Sequence, residues 1–220
     1  EPSFQQRKEL IREQVLHEAK VKKATAIINE NLLDEVTGLV EWPVALTGNF
    51  DPAFLEVPKE ALISSLEKHQ KYFYLLDKNK NLLPHFITIS NLISADPEQV
   101  IKGNEKVIGP RLADAAFFYD KDKSRKLDSH IDTLKRVVFQ KELGSLFDKS
   151  QRVKKLSVFI AKNLSLNSTS VARAAELSKC DLLSNMVGEF ADLQGIMGHY
   201  YAINDGEEED IDFTVSTNTL

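Results

Sequence analysis

The chain has 220 residues, 42% of them apolar and 28% charged, with a formal net charge of −5. This is the composition of an ordinary folded protein, large enough for one sizeable domain or two small ones. No apolar run approaches the roughly 20 residues of a membrane-spanning helix, and the single cysteine, Cys180, excludes an internal disulfide and fits a reducing, cytoplasmic setting. The net charge hides an asymmetry, because residues 101–182 hold 17 Lys and Arg against 10 Asp and Glu while the remainder is strongly acidic. Such a separation can give a basic face that attracts phosphates; a set of solvated helix surfaces accounts for it equally well. The opening EPSFQQRKEL lacks both Met and the charged-then-apolar pattern of a signal peptide, as expected of an internal stretch of a longer chain.

Residues 3–35 read as helical, with Leu10, Ile11, Val15, Ala24, Ile27, Ile28 and Leu32 near helical spacing and Asn29 and Asn31 weakening or breaking the run. Val40, Trp42, Val44 and Leu46 then alternate with other residues, which predicts a strand with Pro43 at an edge or bulge. Residues 48–52 form a turn, and Pro58 opens a short helix to about residue 70. Residues 71–76 and 85–90 predict a β-hairpin across the polar loop 77–81.

From Asn104 onward the pattern is helical. Ser129 and Asp132 suggest a capping box. Val153, Leu156, Ile160 and Leu164 mark one stripe of a helix, and Ser170 suggests the cap of the next, where Val171, Ala174, Ala175, Leu182, Met186, Val187 and Phe190 turn inward. The Asn167-Ser168-Thr169 tripeptide matches a glycosylation acceptor but reads better as a capping loop. The fold class is α+β: an N-terminal helical segment (1–35), a mixed α/β region with a hairpin (36–100), an all-α bundle (101–204) and a frayed acidic tail (205–220).

No phosphate-cradling GxxxxGK[ST] or GxGxxG is present, and no HExxH or CxxC metal pattern. The five histidines stand singly, and Cys180 has no base assigned beside it. RVKKLSVFIAKNL (152–164) and AAELSK (174–179) resemble the R-x-x-H and A-x-L-H-D helices of HD-type phosphohydrolases. In place of the metal ligands stand Lys155, Ser178 and Lys179, and amines with a hydroxyl cannot replace imidazoles and a carboxylate around a divalent cation. The bundle is therefore expected to be HD-like without a metal site, suited to a phosphodiester backbone or to no chemistry of its own.

Six blocks in order carry a more specific resemblance: LVEWPVALTGNFDPAFLEVP, HQKYFYLLD, LLPHFITISN, GNEKVIGPRLADAAFF, LGSLFDKSQRV and LSKCDLLSNMVGEFADLQGIMGHYYA. Together they resemble the beta subunit of bacterial tetrameric glycyl-tRNA synthetase over roughly residues 31–207. The resemblance implies a subunit of an aminoacyl-tRNA ligase that is itself non-catalytic and binds no metal or cofactor. It further implies tRNA(Gly) and a catalytic alpha subunit as partners, with ATP and Mg²⁺ used by that alpha subunit, and neither DNA nor membrane involved. Lys106, Arg111, Lys149, Arg152 and Lys179 are the expected nucleic-acid contacts. Each could instead cap a helix or pair with a carboxylate such as Asp114, Asp148 or Asp181. Two readings stand against this one: a metal-dependent HD-type phosphohydrolase, and a subunit-docking scaffold without tRNA contact. Beyond residue 211 the tail departs from the family pattern.

Overall fold

The computed structural model describes residues 3–208 and 211. The chain divides into two compact units, Glu1–Ala116 and Phe117–Leu220, each with its own buried core.

The first unit is a four-stranded antiparallel sheet with helices. Helix α1 (Phe4–Val21) starts under an Ser3 side-chain cap, and Lys23 at φ +54 ends the helical path. A two-residue strand, β1 (Thr25–Ala26), follows, and Asn29 caps α2 (Glu30–Leu39) by accepting from the Asn31 N–H. The helix expected across 3–35 is therefore two helices with a strand between them. The run breaks at Lys23, before the asparagines; Asn29 starts the second helix, where its short side chain bonds a first-turn amide.

Strand β2 covers Val44–Asn49, later than the alternation at 40–46 suggests. Val40 is buried in the core, but the N–H groups of Glu41 and Trp42 both donate to Asn91 Oδ1, at 2.7 and 2.9 Å. That bend delays the strand and leaves Trp42 exposed. Gly48 and Asn49 are strand residues, so the turn expected at 48–52 begins later, at a 3-10 turn over Pro52–Glu56. Pro58 precedes α3 (Lys59–Ser64), which continues into a π turn to His69.

The hairpin is as the sequence predicts: β3 (Phe73–Leu76) pairs with β4 (Leu82–Ser90). Asp77 closes the loop by accepting from the Asn79 and Asn81 N–H groups at 2.7 and 2.8 Å. The strand order β1-β3-β4-β2 puts β2 at an edge, and α1 covers part of that edge. Gln14 accepts from the Ala45 N–H at 2.7 Å and donates to the Pro43 carbonyl at 3.1 Å, blunting a surface that would otherwise invite another strand. Ile11, Val15, Leu33, Val36, Phe73 and Ile87 form the core between sheet and helices.

Helix α4 (Pro97–Lys123) is longer than expected and carries Pro110 in its interior; the division between the units falls within it, after Ala116. In the first unit its Asn104 accepts from the Tyr72 hydroxyl at 2.7 Å, and Glu105 accepts from the Asn49 N–H at 2.8 Å. The Gly-Asn-Glu element thus ties the helix to the sheet.

In the second unit, Ser129 and Asp132 make no capping box. Two 3-10 turns, Leu127–His130 and Thr133–Arg136, occupy the segment, and the Ser129 hydroxyl donates back to the Lys126 carbonyl. Strands β5 (Val138–Gln140) and β6 (Gly144–Ser145) form a small hairpin. Helix α5 (Leu146–Asn163) opens with a reciprocal Ser145–Asp148 capping box. Asn167, rather than Ser170, caps α6 (Ser168–Leu177), accepting from the Thr169 and Ser170 N–H groups. A 3-10 turn over Cys180–Leu183, the short α7 (Asn185–Glu189) and α8 (Ile196–Asp205) complete it.

The second unit is tied by buried polar groups as well as by apolar ones. Asp122 accepts from the Asn185 and Met186 N–H groups, both at 2.9 Å, and from the Tyr201 hydroxyl at 2.9 Å, which caps α7 and fixes α8. Met186, Val187, Phe190, Ala174 and Ala175 are buried as expected, while Val171 and Leu182 are only half-buried. The stripe Leu156, Ile160 and Leu164 is instead exposed: packing buries a different side of α5, where Ser150 and Ala161 lie. Of the acidic run, Asp205 accepts from the Leu127 N–H and Glu207 pairs with Arg173. Residues 209, 210 and 212–220, most of the tail expected to fray, lie outside the described residues.

Candidate functional site

The expected contacts fall in both units. Lys106 and Arg111 are exposed on α4 within the first unit. Lys149 and Arg152, one turn apart on α5, and Lys179, after the end of α6, lie in the second. Arg152 is exposed and Lys149 is half-buried, its ammonium 4.2 Å from the centroid of the Phe139 ring on the hairpin. That ring holds the amine by a cation–π contact while leaving its N–H donors free in direction.

Lys179 is half-buried too. Burial, and then the neighbouring Lys149, push its ammonium below the ordinary lysine value, with Asp181 pulling the other way. A half-buried ammonium with a second cation near enough to push its value down favours an anion in its surroundings. Lys149 is thus near enough to act electrostatically on Lys179, and Arg152 lies one turn further along α5.

The alternative roles as helix caps or ion-pair partners resolve residue by residue. Asp148 is committed to its own helix end, accepting from the Ser145 N–H at 2.8 Å and from its hydroxyl at 2.7 Å. These bonds, more than the charge of Arg152, hold its carboxyl below the usual range. Asp181 is fully buried and accepts from the Gly195 N–H at the start of α8, so its first duty is structural. Gly195 sits at φ +83, in the left-handed region where glycine carries no steric penalty, so its amide can point at that carboxylate.

The three positions that would hold a metal in an HD-type hydrolase are placed as follows. Ser178 is buried and its hydroxyl donates to the Ala175 carbonyl at 3.0 Å, an internal bond that leaves it no outward role. Lys155 is exposed on α5; Lys154, beside it, pairs with Glu176 of α6. Among the described residues, no group of three or more His, Cys, Asp or Glu side chains is placed to hold a metal ion. Cys180 is buried and its thiol is pushed up to about 12, chiefly by burial, so it is held as a neutral core group. Tyr72, in the first unit, is another buried group with a raised value, about 12. It stacks on Phe86 at 4.4 Å and bonds Asn104, so it packs rather than reacts.

Reasoning from sequence missed the anchoring of Lys149 on Phe139, because the two come together only through the β5–β6 turn. It also missed the Asp122 and Asp181 caps, whose partners lie 63 and 14 residues away.

A family model described as the glycyl-tRNA synthetase beta subunit matches residues 1–219. The chain belongs to that family. It is 60% identical over 208 residues to the glycine–tRNA ligase beta subunit of Chromohalobacter salexigens, covering 94% of this chain and 30% of the relative. The corresponding proteins of Pseudomonas syringae pv. syringae and Pseudomonas entomophila are 54% and 52% identical with the same coverage. The chain therefore spans under a third of the length of these relatives. No described helix is long and apolar enough to cross a membrane.

Proposed function

We propose that this chain is the tRNA-gripping part of a glycyl-tRNA synthetase beta subunit. In this reading it supports ATP-dependent attachment of glycine to tRNA(Gly) in the cytoplasm by binding the nucleic acid and the catalytic alpha subunit. ATP and Mg²⁺ belong to the alpha subunit, and this stretch contributes no catalytic group. The observation that carries the reading is the half-buried Lys179, acted on electrostatically by Lys149 of α5, with the exposed Arg152 one turn along that helix. A phosphodiester oxygen between the two amines relieves their mutual repulsion, and Arg152 can meet a neighbouring phosphate with its planar fork. Lys106 and Arg111 supply further cationic contacts from the first unit.

An HD-like ancestry fits the same residues. Where hydrolases hold a cation, Ser178 is turned inward and Lys179 offers positive charge, so the position attracts phosphate instead of activating water.

The test is tRNA(Gly) binding by fluorescence anisotropy across a salt series. Arg152→Glu and Lys179→Gln are expected to weaken binding several-fold each, and to reduce the slope of log affinity against log salt by about one per lost phosphate contact. Unchanged affinity and slope in these two and in Arg111→Glu would remove the contact surface while leaving family membership intact.

A further inference from the structure

Helix α5 is packed on one side only. Leu156, Phe159, Ile160 and Leu164 are 61, 66, 47 and 62% exposed. At helical spacing Leu156, Phe159 and Ile160 share one exposed side, extended by Leu164 just past the helix end and distinct from the side that buries Ser150 and Ala161. Lys155 and Lys162, both exposed, run along one border of the stripe. The sole carboxylate of the helix, Asp148, is turned back onto Ser145. The face is therefore apolar with a cationic border and no acidic group of its own.

Three observations select its occupant. A second copy packed antiparallel on the same face would set Lys155 and Lys162 against like charges, which disfavours that self-association. A stripe of four partly exposed side chains offers only a few hundred Å², short of the roughly 800 Å² per partner of a free-standing interface. Tethering removes that shortfall, since a covalently linked segment binds at high effective concentration. The relatives carry most of their length, 70% by the coverage, outside the matched stretch.

We propose that in full-length chains of this family the α5 face is covered by an amphipathic helix of the same polypeptide from outside this stretch. The apolar stripe of that helix is bordered by Asp or Glu where it meets Lys155 and Lys162. This docking is distinct from the tRNA contacts proposed above and stands without them.

The experiment places the photo-crosslinker p-benzoylphenylalanine at position 159 of the full-length chain, where it replaces an exposed ring, and maps the product by mass spectrometry. The expected result is an intrachain crosslink onto an apolar residue with carboxylates within one helical turn. Its yield should exceed that of the same probe at the exposed Lys141, and it should fall several-fold in a Lys155→Glu/Lys162→Glu background. A crosslink to another copy, another protein, RNA or lipid would overturn the proposal. So would an intrachain partner without flanking carboxylates, or a yield no higher than at Lys141.

Discussion

Asp181 shows how far a single side chain's role depends on what surrounds it. In the sequence it is one carboxylate beside Lys179; in the structure it is a fully buried acceptor for the Gly195 amide. Burial raises its carboxyl above the usual range, with the amides of Gly195 and Gly198 pulling it back. A folded-state value above the unfolded one means the native protein holds this proton more tightly. The group therefore takes stability away as pH rises from about the unfolded value through the folded one. Asp181→Asn keeps an oxygen for the Gly195 amide and removes the titration. Guanidinium denaturation from acid to neutral pH should show the wild type losing stability relative to the variant as pH increases; parallel curves would refute the assignment. Gly48 is a second such residue. A Cβ there would lie 2.9 Å from Phe86 Cε1 and nearer still to the ring tip, and the ring is fully buried. Gly48→Ala should cost about 1–3 kcal/mol through forced repacking, read as a lower denaturation midpoint at unchanged slope.

At the scale of elements, local chemistry explains most starts and stops. The α5 capping box, the Asn29 and Asn167 caps and the Asp77 loop are each satisfied within four residues of sequence. Asn167→Ala should destabilise the protein by about 1 kcal/mol, and Asn167→Asp should restore most of it, since either oxygen can accept from the first-turn amides; urea melts of the two variants decide this. What was not legible at this scale is which side of an apolar helix is buried. Leu156, Ile160 and Leu164 have the period of a core stripe, and α6 packs along α5 on a different side, beside Ala161 and the Lys154–Glu176 pair. A period fixes a face; it does not say what lies against it.

At the scale of the whole molecule, the exposed stripe predicts behaviour of the 220-residue chain by itself. Leu156→Glu with Phe159→Glu should raise its solubility markedly while changing stability by no more than about 0.5 kcal/mol, the usual range for exposed substitutions. Sedimentation and thermal melts measure the two separately. A large stability loss would mean the face is packed within this chain. The basic surplus of residues 101–182 resolves in the same way. Arg173 is committed to Glu207 and Asp128, and Lys154 to Glu176, while Lys149 lies over the Phe139 ring and acts electrostatically on Lys179.

Sequence alone determined the class of the fold, the hairpin, the order of the helices and the family, because these follow from periodicity, local caps and ordered blocks of residues. It also marked Lys149, Arg152 and Lys179 as cations worth following. Only the tertiary structure decided that Lys149 rests on the Phe139 ring, that Asp122 and Asp181 serve as distant helix caps, that Ser178 faces inward and that the α5 stripe faces out. Burial and electrostatic pairing depend on which segments meet across the fold, and a linear pattern carries no such distances.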